Sequence, residues 1–123
     1  MKLEICIDVN DVDRAVEFYG RGLRLEIPQH EKEWAKAALG EQVFWFMRIN
    51  PGPSGAISRD YRRHWTPIHL DFHVDNIDEV VKRALAAGGN LDREIQRNPD
   101  GGAIANLSDP SGNGIDLVQL AKG

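Results

Sequence analysis

One short segment of the chain places three polar side chains at alternate positions. His69, Asp71 and His73 are separated by the apolar residues Leu70 and Phe72. In an extended strand, alternate side chains point to the same face, so these imidazole and carboxylate groups are expected to lie side by side. Such groups can accept and donate protons or bind a divalent cation. The segment is therefore the first candidate for a functional site.

The same alternation occurs near the start of the chain. Its apolar positions are Leu3, Ile5, Ile7 and Val9, and in the later strand they are Ile68, Leu70, Phe72 and Val74. Each strand leads into a sequence typical of a capped helix, and aligning Val9 with Val74 gives an offset of 65 residues. An internal duplication explains this repetition. Under that offset, Glu4 and His69 are equivalent positions.

Each half of the chain continues with three further extended segments after its helix. The first half has an apolar helical stripe from Val12 to Leu23, followed by strands at 23–27, 34–39 and 43–49. In the second half, a helix that starts at Ile77 and ends at Gly88-Gly89 precedes strands at 90–97, 103–107 and 115–120. Turn-forming residues at 108–114 predict a hairpin between the last two strands.

The pattern predicts an α+β fold of two tandem βαβββ modules. Module one covers 1–49, a linker covers 50–66, and module two covers 67–123. At 123 residues the chain has the usual size of one domain. The helices should cover the apolar faces of the strands, so the polar faces are expected to form a curled mixed sheet with a concave ligand trough.

Asp116 is a further candidate, because it interrupts the apolar run of the last strand. A carboxylate in such a strand is costly unless it is paired or bound to a metal ion. Its equivalent in module one is expected to be Phe44 or Phe46. Glu4, His69 and Asp116 thus provide three oxygen or nitrogen donors that should face the trough, with Glu4 and His69 opposite each other.

Three segments resemble the vicinal oxygen chelate superfamily, which includes glyoxalases, bleomycin-resistance proteins and extradiol dioxygenases. They are the segment from Asn10 to Tyr19, the strand and helix that begin at His69, and the segment from Asp109 to Leu117. Their order and spacing cover nearly the whole chain. The resemblance implies the same fold as the duplication does.

The resemblance also implies a site for a divalent metal ion, with Glu4, His69 and Asp116 at the ligand positions and Phe44 or Phe46 at an optional fourth. Glu4 stands where the family usually has His, and Asp116 where it usually has Glu. One imidazole and two carboxylates suit Mn²⁺, Ni²⁺, Fe²⁺, Mg²⁺ or Zn²⁺. His73 or Asp71 could then serve as a catalytic base, the alternative being solvent exposure or a structural ion pair for both.

Three functions follow from the resemblance. The chain is expected to be a metal-dependent lyase or isomerase of glyoxalase type that acts on a chelating oxygen substrate. The first alternative is a metal-free protein that binds or sequesters a small molecule, similar to bleomycin-resistance proteins. The second is a regulatory binding domain without chemistry. An extradiol dioxygenase is disfavoured, because the two-His set that their iron usually takes is absent.

The overall charge of −4 disfavours nucleic acid and anionic membranes as partners. The basic run from Arg59 to His64 could hold an anionic group or be a solvated loop. A single cysteine, Cys6, and the lack of a signal-like opening predict a cytoplasmic protein. The uncovered sheet edges and bulky residues such as Trp34 and Trp45 predict a homodimer. Trp34, Trp45 or Trp65 is also expected to line the ligand cavity.

Overall fold

The first module is a βαβββ unit. The computed structural model describes residues 1–54 and 57–122. The elements of this module, in chain order, are β1 (Ile5–Val9), α1 (Val12–Val16) continued by a π-helical segment (Glu17–Gly22), β2 (Glu26–His30), β3 (Trp34–Leu39) and β4 (Gln42–Arg48).

The second module repeats this order with one strand split in two. Its elements are β7 (Leu70–His73), α2 (Ile77–Ala86), β8 (Asn90–Leu91), β9 (Gln96–Arg97), β10 (Ala103–Ser108) and β11 (Gly114–Gln119). The segment predicted as a simple linker contains a small antiparallel hairpin formed by β5 (Gly52–Ser54) and β6 (Ile57–Arg59). No helix in residues 1–54 or 57–122 is long and apolar enough to cross a lipid bilayer.

The strand orders of the two sheets match. They are β1-β4-β3-β2 in module one and β7-β11-β10-β8 in module two, where β9 also pairs with β10. The first and last strands of each module pair in parallel, and the remaining pairs are antiparallel. The predicted α+β fold of two βαβββ modules is confirmed, with the hydrogen bonds divided into one mixed sheet per module.

The helices begin at equivalent capped positions. The Asp11 side chain accepts a hydrogen bond from the Arg14 amide, and the Asn76 side chain accepts one from the Glu79 amide. Each of these side chains satisfies an amide of the first turn that has no partner within the helix. At the other end of α2, Gly88 has φ of +101°, a conformation that glycine adopts without steric cost.

The helix of module one differs from the predicted continuous amphipathic helix. The amide of Leu23 donates to the carbonyl of Phe18, five residues earlier, which is the hydrogen bond of a π-helix. Phe18 and Tyr19 both lie in this segment, and each is fully buried.

The two modules share one hydrophobic core. Its buried side chains come from both helices and both sheets, including Phe46 of β4 and Leu117 of β11. The ring of Phe46 stacks on Tyr19 at 4.6 Å between centroids. The Tyr19 hydroxyl donates a hydrogen bond of 2.7 Å to Asp109 in the β10–β11 turn. Burial, together with this carboxylate, raises the pKa of Tyr19 well above its ordinary value.

The prediction that the helices cover every apolar position of the two strands is wrong at the first position of each. Leu3 and Ile68, which are equivalent under the offset, are 75% and 83% exposed. The strands begin only at Ile5 and Leu70. Leu3 and Ile68 therefore lie before the part of each strand that packs against the core.

Candidate functional site

A cluster of one imidazole and two carboxylates lies on the polar face of module two. His69, Asp71 and Asp116 each direct one ligand atom into it, and these atoms lie within 4.8 Å of one another. His69 Nδ1 is 2.9 Å from Asp71 Oδ1 and 3.3 Å from Asp116 Oδ2. His69 and Asp71 are about half exposed, so the cluster is open to a ligand.

The pairing of β7 with β11 creates this cluster. Asp71 lies directly beside Asp116 in the parallel register, while His69 precedes Asp71 by two residues and shares its face. Asn106 on β10 is the cross-strand partner of Asp116, and its Nδ2 donates a hydrogen bond of 2.7 Å to Asp116 Oδ1. This bond fixes the carboxylate and leaves its second oxygen directed at His69.

The equivalent position of module one is closed by a tryptophan. Cys6 pairs with Trp45 as Asp71 pairs with Asp116, so the counterpart of Asp116 is Trp45. The prediction of Phe44 or Phe46 is therefore wrong. Both phenylalanines point to the opposite face of β4 and are buried in the core, at 3% and 0% exposure.

Trp45 engages the carboxylate that was expected to bind metal. Its Nε1 donates a hydrogen bond of 2.8 Å to Glu4 Oε2, and Lys2 Nζ lies 3.0 Å from Glu4 Oε1. The hydrogen bonds from Trp45 and Lys2 lower the pKa of Glu4 below its ordinary value of 4.5. Lys36 Nζ lies 5.4 Å from the centre of the Trp45 ring, an attractive cation–π geometry.

The structure thus brings together two of the three predicted metal ligands. His69 and Asp116 meet, Asp71 joins them, and the Glu4 carboxylate belongs to the separate pair with Trp45. Asp71, expected as a catalytic base, is one of the potential ligands. His73 lies four residues after His69, about 13 Å along the strand, and lines a different cleft beside α2.

A cleft of about 600 Å³ lies between the strands β1 and β7 and the segment that links the modules. His69 is on its wall. Several of its other side chains are apolar: Ile5, Ile7, Ile68, Leu70 and Ile115. The thiol of Cys6 also faces it, but burial and the nearby Asp8 raise the Cys6 pKa, which disfavours the reactive thiolate.

A second cleft, of about 420 Å³, adjoins the first at His69. Asp116 and Asn106 line it, and Trp65 lines it as well. The cleft also contains two guanidinium groups, those of Arg63 and Arg93. Sequence reasoning missed Asn106 and Arg93, because they reach the cluster through pairing between strands. The pairing of β10 with β11 places Asn106 beside Asp116, and Arg93 lies between β8 and β9, which both pair with β10.

The basic run from Arg59 to His64 forms ion pairs within the chain. Arg59 contacts Asp8 at 2.7 Å and Arg63 contacts Asp92 at 2.7 Å. Arg62 pairs with Asp60, and its hydrogen bonds lower the pKa of that carboxyl to about 2. The three arginines therefore each have an acidic partner, and the run fastens the linking segment to both modules.

Two βαβββ units with matching sheets, and polar groups on the faces turned away from the helices, define the vicinal oxygen chelate fold. Residues 4–118 match the model of the glyoxalase-like domain. The chain belongs to this glyoxalase-like family.

Several known proteins are similar to this chain in sequence or in fold. A lactoylglutathione lyase of Arabidopsis thaliana is 28% identical over 95% of this chain and 43% of its own length. The anthracycline biosynthesis protein DnrV of Streptomyces peucetius is 36% identical over 58% of this chain and 23% of its own length. The chain thus spans less than half the length of these curated relatives. A glyoxalase-related enzyme from Fulvimarina pelagi superposes with a TM-score of 0.74 at 21% identity, covering 98% and 89% of the two chains.

Proposed function

We propose that this protein is a glyoxalase-type enzyme that uses a divalent metal ion to act as a lyase or isomerase on a small molecule with chelating oxygens. The observation that carries the proposal is the convergence of His69, Asp71 and Asp116 within 4.8 Å. The metal ligands in this proposal are these three residues, and Glu4 is not among them.

The donor set suits a divalent ion. One imidazole nitrogen and two carboxylates neutralise a charge of +2, and the mixture of nitrogen and oxygen donors is acceptable to Mn²⁺, Ni²⁺, Fe²⁺, Mg²⁺ and Zn²⁺. Three protein ligands leave coordination positions for the oxygens of a substrate. The carboxylates of Asp71 and Asp116 lie side by side in the β7–β11 register, so they repel each other unless a cation or a protonated His69 lies between them.

A bound divalent ion supplies Lewis acidity, which stabilises negative charge that develops on a substrate oxygen. The chain supplies the orientation. Asn106 donates a hydrogen bond of 2.7 Å to Asp116 Oδ1, which keeps the other carboxylate oxygen directed at His69 and the proposed metal position. The apolar wall of the large cleft, including Leu70 and Ile115, would exclude water from one side of the substrate.

Two similar proteins are named as enzymes, a lactoylglutathione lyase of Arabidopsis thaliana and a glyoxalase-related enzyme of Fulvimarina pelagi, which is consistent with the proposal. At these low identities the similarity supports a shared fold and does not identify the substrate. The donor set supports the metal dependence, and the lyase or isomerase class in this proposal follows the names of these relatives.

The test is a thermal unfolding scan with Mn²⁺, Ni²⁺, Co²⁺, Zn²⁺ and Mg²⁺. A ligand of the native state at 100 times its dissociation constant adds about 2.7 kcal/mol of stability, which raises Tm by several degrees. We expect His69→Ala to abolish this shift. His73→Ala is the matched control, because it removes the same side chain from the same face of β7 outside the cluster. No shift in the wild type, or an equal shift in His69→Ala, would refute the metal enzyme.

A metal-free binding protein is the second candidate. The cleft of about 600 Å³ has the size of a site for a drug-sized molecule, and much of its wall is aliphatic. The match to DnrV, named for anthracycline biosynthesis, is consistent with a small-molecule ligand. If the thermal scan shows no metal effect, this function becomes the better account, and a ligand that shifts Tm without metal would establish it.

A further inference from the structure

Arg93 differs from most other arginines of the chain because it has no acidic partner. Ion pairs to carboxylates engage Arg14, Arg21, Arg48, Arg59, Arg62, Arg63, Arg83 and Arg97. Among the arginines of residues 1–54 and 57–122, only Arg24 and Arg93 have no carboxylate oxygen within 4.0 Å of a side-chain nitrogen. Of these two, only Arg93 lines the cleft that contains His69 and Asp116.

A single amide group connects Arg93 to the candidate metal cluster. Arg93 Nε donates a hydrogen bond of 2.9 Å to Asn106 Oδ1, and Asn106 Nδ2 donates one of 2.7 Å to Asp116 Oδ1. The Gln96 amide, turned so that its oxygen faces the guanidinium, is the other neighbour, at 3.1–3.3 Å. Both partners are neutral, so the positive charge of Arg93 remains uncompensated.

With a divalent ion at the cluster, the charges around the second cleft would leave a surplus of one positive charge. The ion would be balanced by Asp71 and Asp116, and Arg63 is balanced by Asp92 at 2.7 Å. Arg93 adds a positive charge that no carboxylate in the described part of the chain balances. A ligand that carries an anionic group therefore completes the charge balance of the cleft.

We propose that Arg93 binds a carboxylate of the ligand while two adjacent oxygens of that ligand reach the metal cluster. The substrate class is a small carboxylic acid with a vicinal oxygen pair separate from the carboxylate. A planar guanidinium binds a carboxylate through paired, charge-assisted hydrogen bonds, which sets both the position and the orientation of the ligand. This proposal rests on the metal-dependent function and adds a ligand class to it.

Two probes isolate the carboxylate. Catechol and 3,4-dihydroxybenzoate have the same vicinal oxygens, and only the second has a carboxylate. Their dissociation constants are measured by calorimetry on metal-free protein and on protein loaded with the ion that binds best, after excess ion is removed. We expect 3,4-dihydroxybenzoate to bind wild-type protein about tenfold more tightly than catechol, the magnitude of one additional charge-assisted contact.

Substitutions test whether Arg93 causes the tighter binding of 3,4-dihydroxybenzoate. Arg93→Gln is expected to reduce the ratio of the two dissociation constants to about one, and Arg93→Lys to retain part of it. Arg24→Gln is the matched control, since it removes the other arginine without an acidic partner, outside this cleft, and should leave the ratio unchanged. Circular dichroism and Tm of each variant verify that the fold is retained, as expected for an exposed side chain.

The outcomes separate this proposal from the one on which it rests. Calorimetry with the metal ion alone tests the metal site without either probe. If metal binds but wild-type protein prefers neither probe, or if Arg93→Gln keeps the preference, the role of Arg93 is refuted and the metal site stands. If no metal binds but the preference persists and depends on Arg93, the enzyme is refuted and the carboxylate site stands. Failure of both probes to bind wild-type protein refutes the carboxylate site.

Discussion

The two modules have the same strand order and different chemistry on their polar faces. The first and last strands pair in the same register in both, so Glu4 with Trp45 corresponds to His69 with Asp116. In module one an indole donates a hydrogen bond to the carboxylate, and in module two an imidazole meets two carboxylates. Folding constrains the helix-facing side of each strand, because it forms the shared core, and leaves the other side free to differ.

We expect the largest effect on stability from substitutions in the hydrophobic core that the two modules share. Phe46 and Leu117 occupy equivalent positions in the register, and both are fully buried. We expect Phe46→Ala to lower the free energy of unfolding by about 3–5 kcal/mol and Leu117→Ala by about 2–5 kcal/mol. Urea denaturation followed by fluorescence and circular dichroism should give one transition for each variant, because the core is common to both modules. Two separate transitions would show that the modules are independent.

The next effect concerns metal affinity, and it should be confined to module two. We expect Asp116→Asn to weaken the binding of a divalent ion at least about tenfold, since it removes a charged ligand. Glu4→Gln removes the same charge from module one and should leave the affinity unchanged, because the Glu4 carboxylate is bound to Trp45 and Lys2. Calorimetric titration measures both. An equal loss in the two variants would mean that Glu4 also coordinates the ion.

Both modules expose an apolar side chain just before their first strand, and we propose that these side chains lie in an interface with a second copy of the chain. Leu3 and Ile68 are equivalent and largely exposed, and Trp65 is 79% exposed. A homodimer that covers these side chains would bury apolar area now in contact with water, at about 25 cal/mol per Å². We expect light scattering at micromolar concentration to give twice the mass of one chain, and Ile68→Asp to shift the mass towards one chain. A wild-type protein with the mass of one chain would contradict this proposal.

We expect the smallest effect on the pKa of Glu4 in module one. Trp45→Phe removes the hydrogen bond to Glu4, so the Glu4 pKa should rise towards 4.5, the residual difference coming from Lys2. Because the folded-state pKa is lowered, the stabilisation from this pair is present above pH 4.5 and is lost as the pH falls through the lowered pKa. Carbon-detected NMR of the Glu4 carboxylate as a function of pH measures this pKa. An unchanged pKa in Trp45→Phe would assign the shift to Lys2 alone.

The repeat made most of the fold predictable from the sequence. The offset of 65 residues, the alternating strands and the helix caps at Asp11 and Asn76 identify both modules. The π-helical segment was not predictable in this way, because its apolar spacing is also compatible with an α-helix. The exposure of Leu3 and Ile68 was missed because the alternation continues beyond the ends of the strands.

The candidate site was predictable only in part, for a geometric reason. His69 and Asp71 share a strand face, so two of the three cluster residues follow from local sequence. The counterpart of Asp116 depends on a register between strands far apart in sequence, and an error of one residue replaces Trp45 with a phenylalanine of the opposite face. The contact of Asn106 with Asp116 depends on the register of the β10–β11 hairpin, and that of Arg93 with Asn106 depends on the pairing of β8 and β9 with β10.

The segment that joins the modules has a kinetic consequence. Arg59 is bonded to Asp8 in module one, while Arg63 is bonded to Asp92 and the His64 ring lies 2.9 Å from Asn113 in module two. Two chains could exchange modules only after these bonds are broken and the segment is lifted from both partners. Because such an exchange would also open the core that the two modules share, it has to cross a barrier similar to that of partial unfolding.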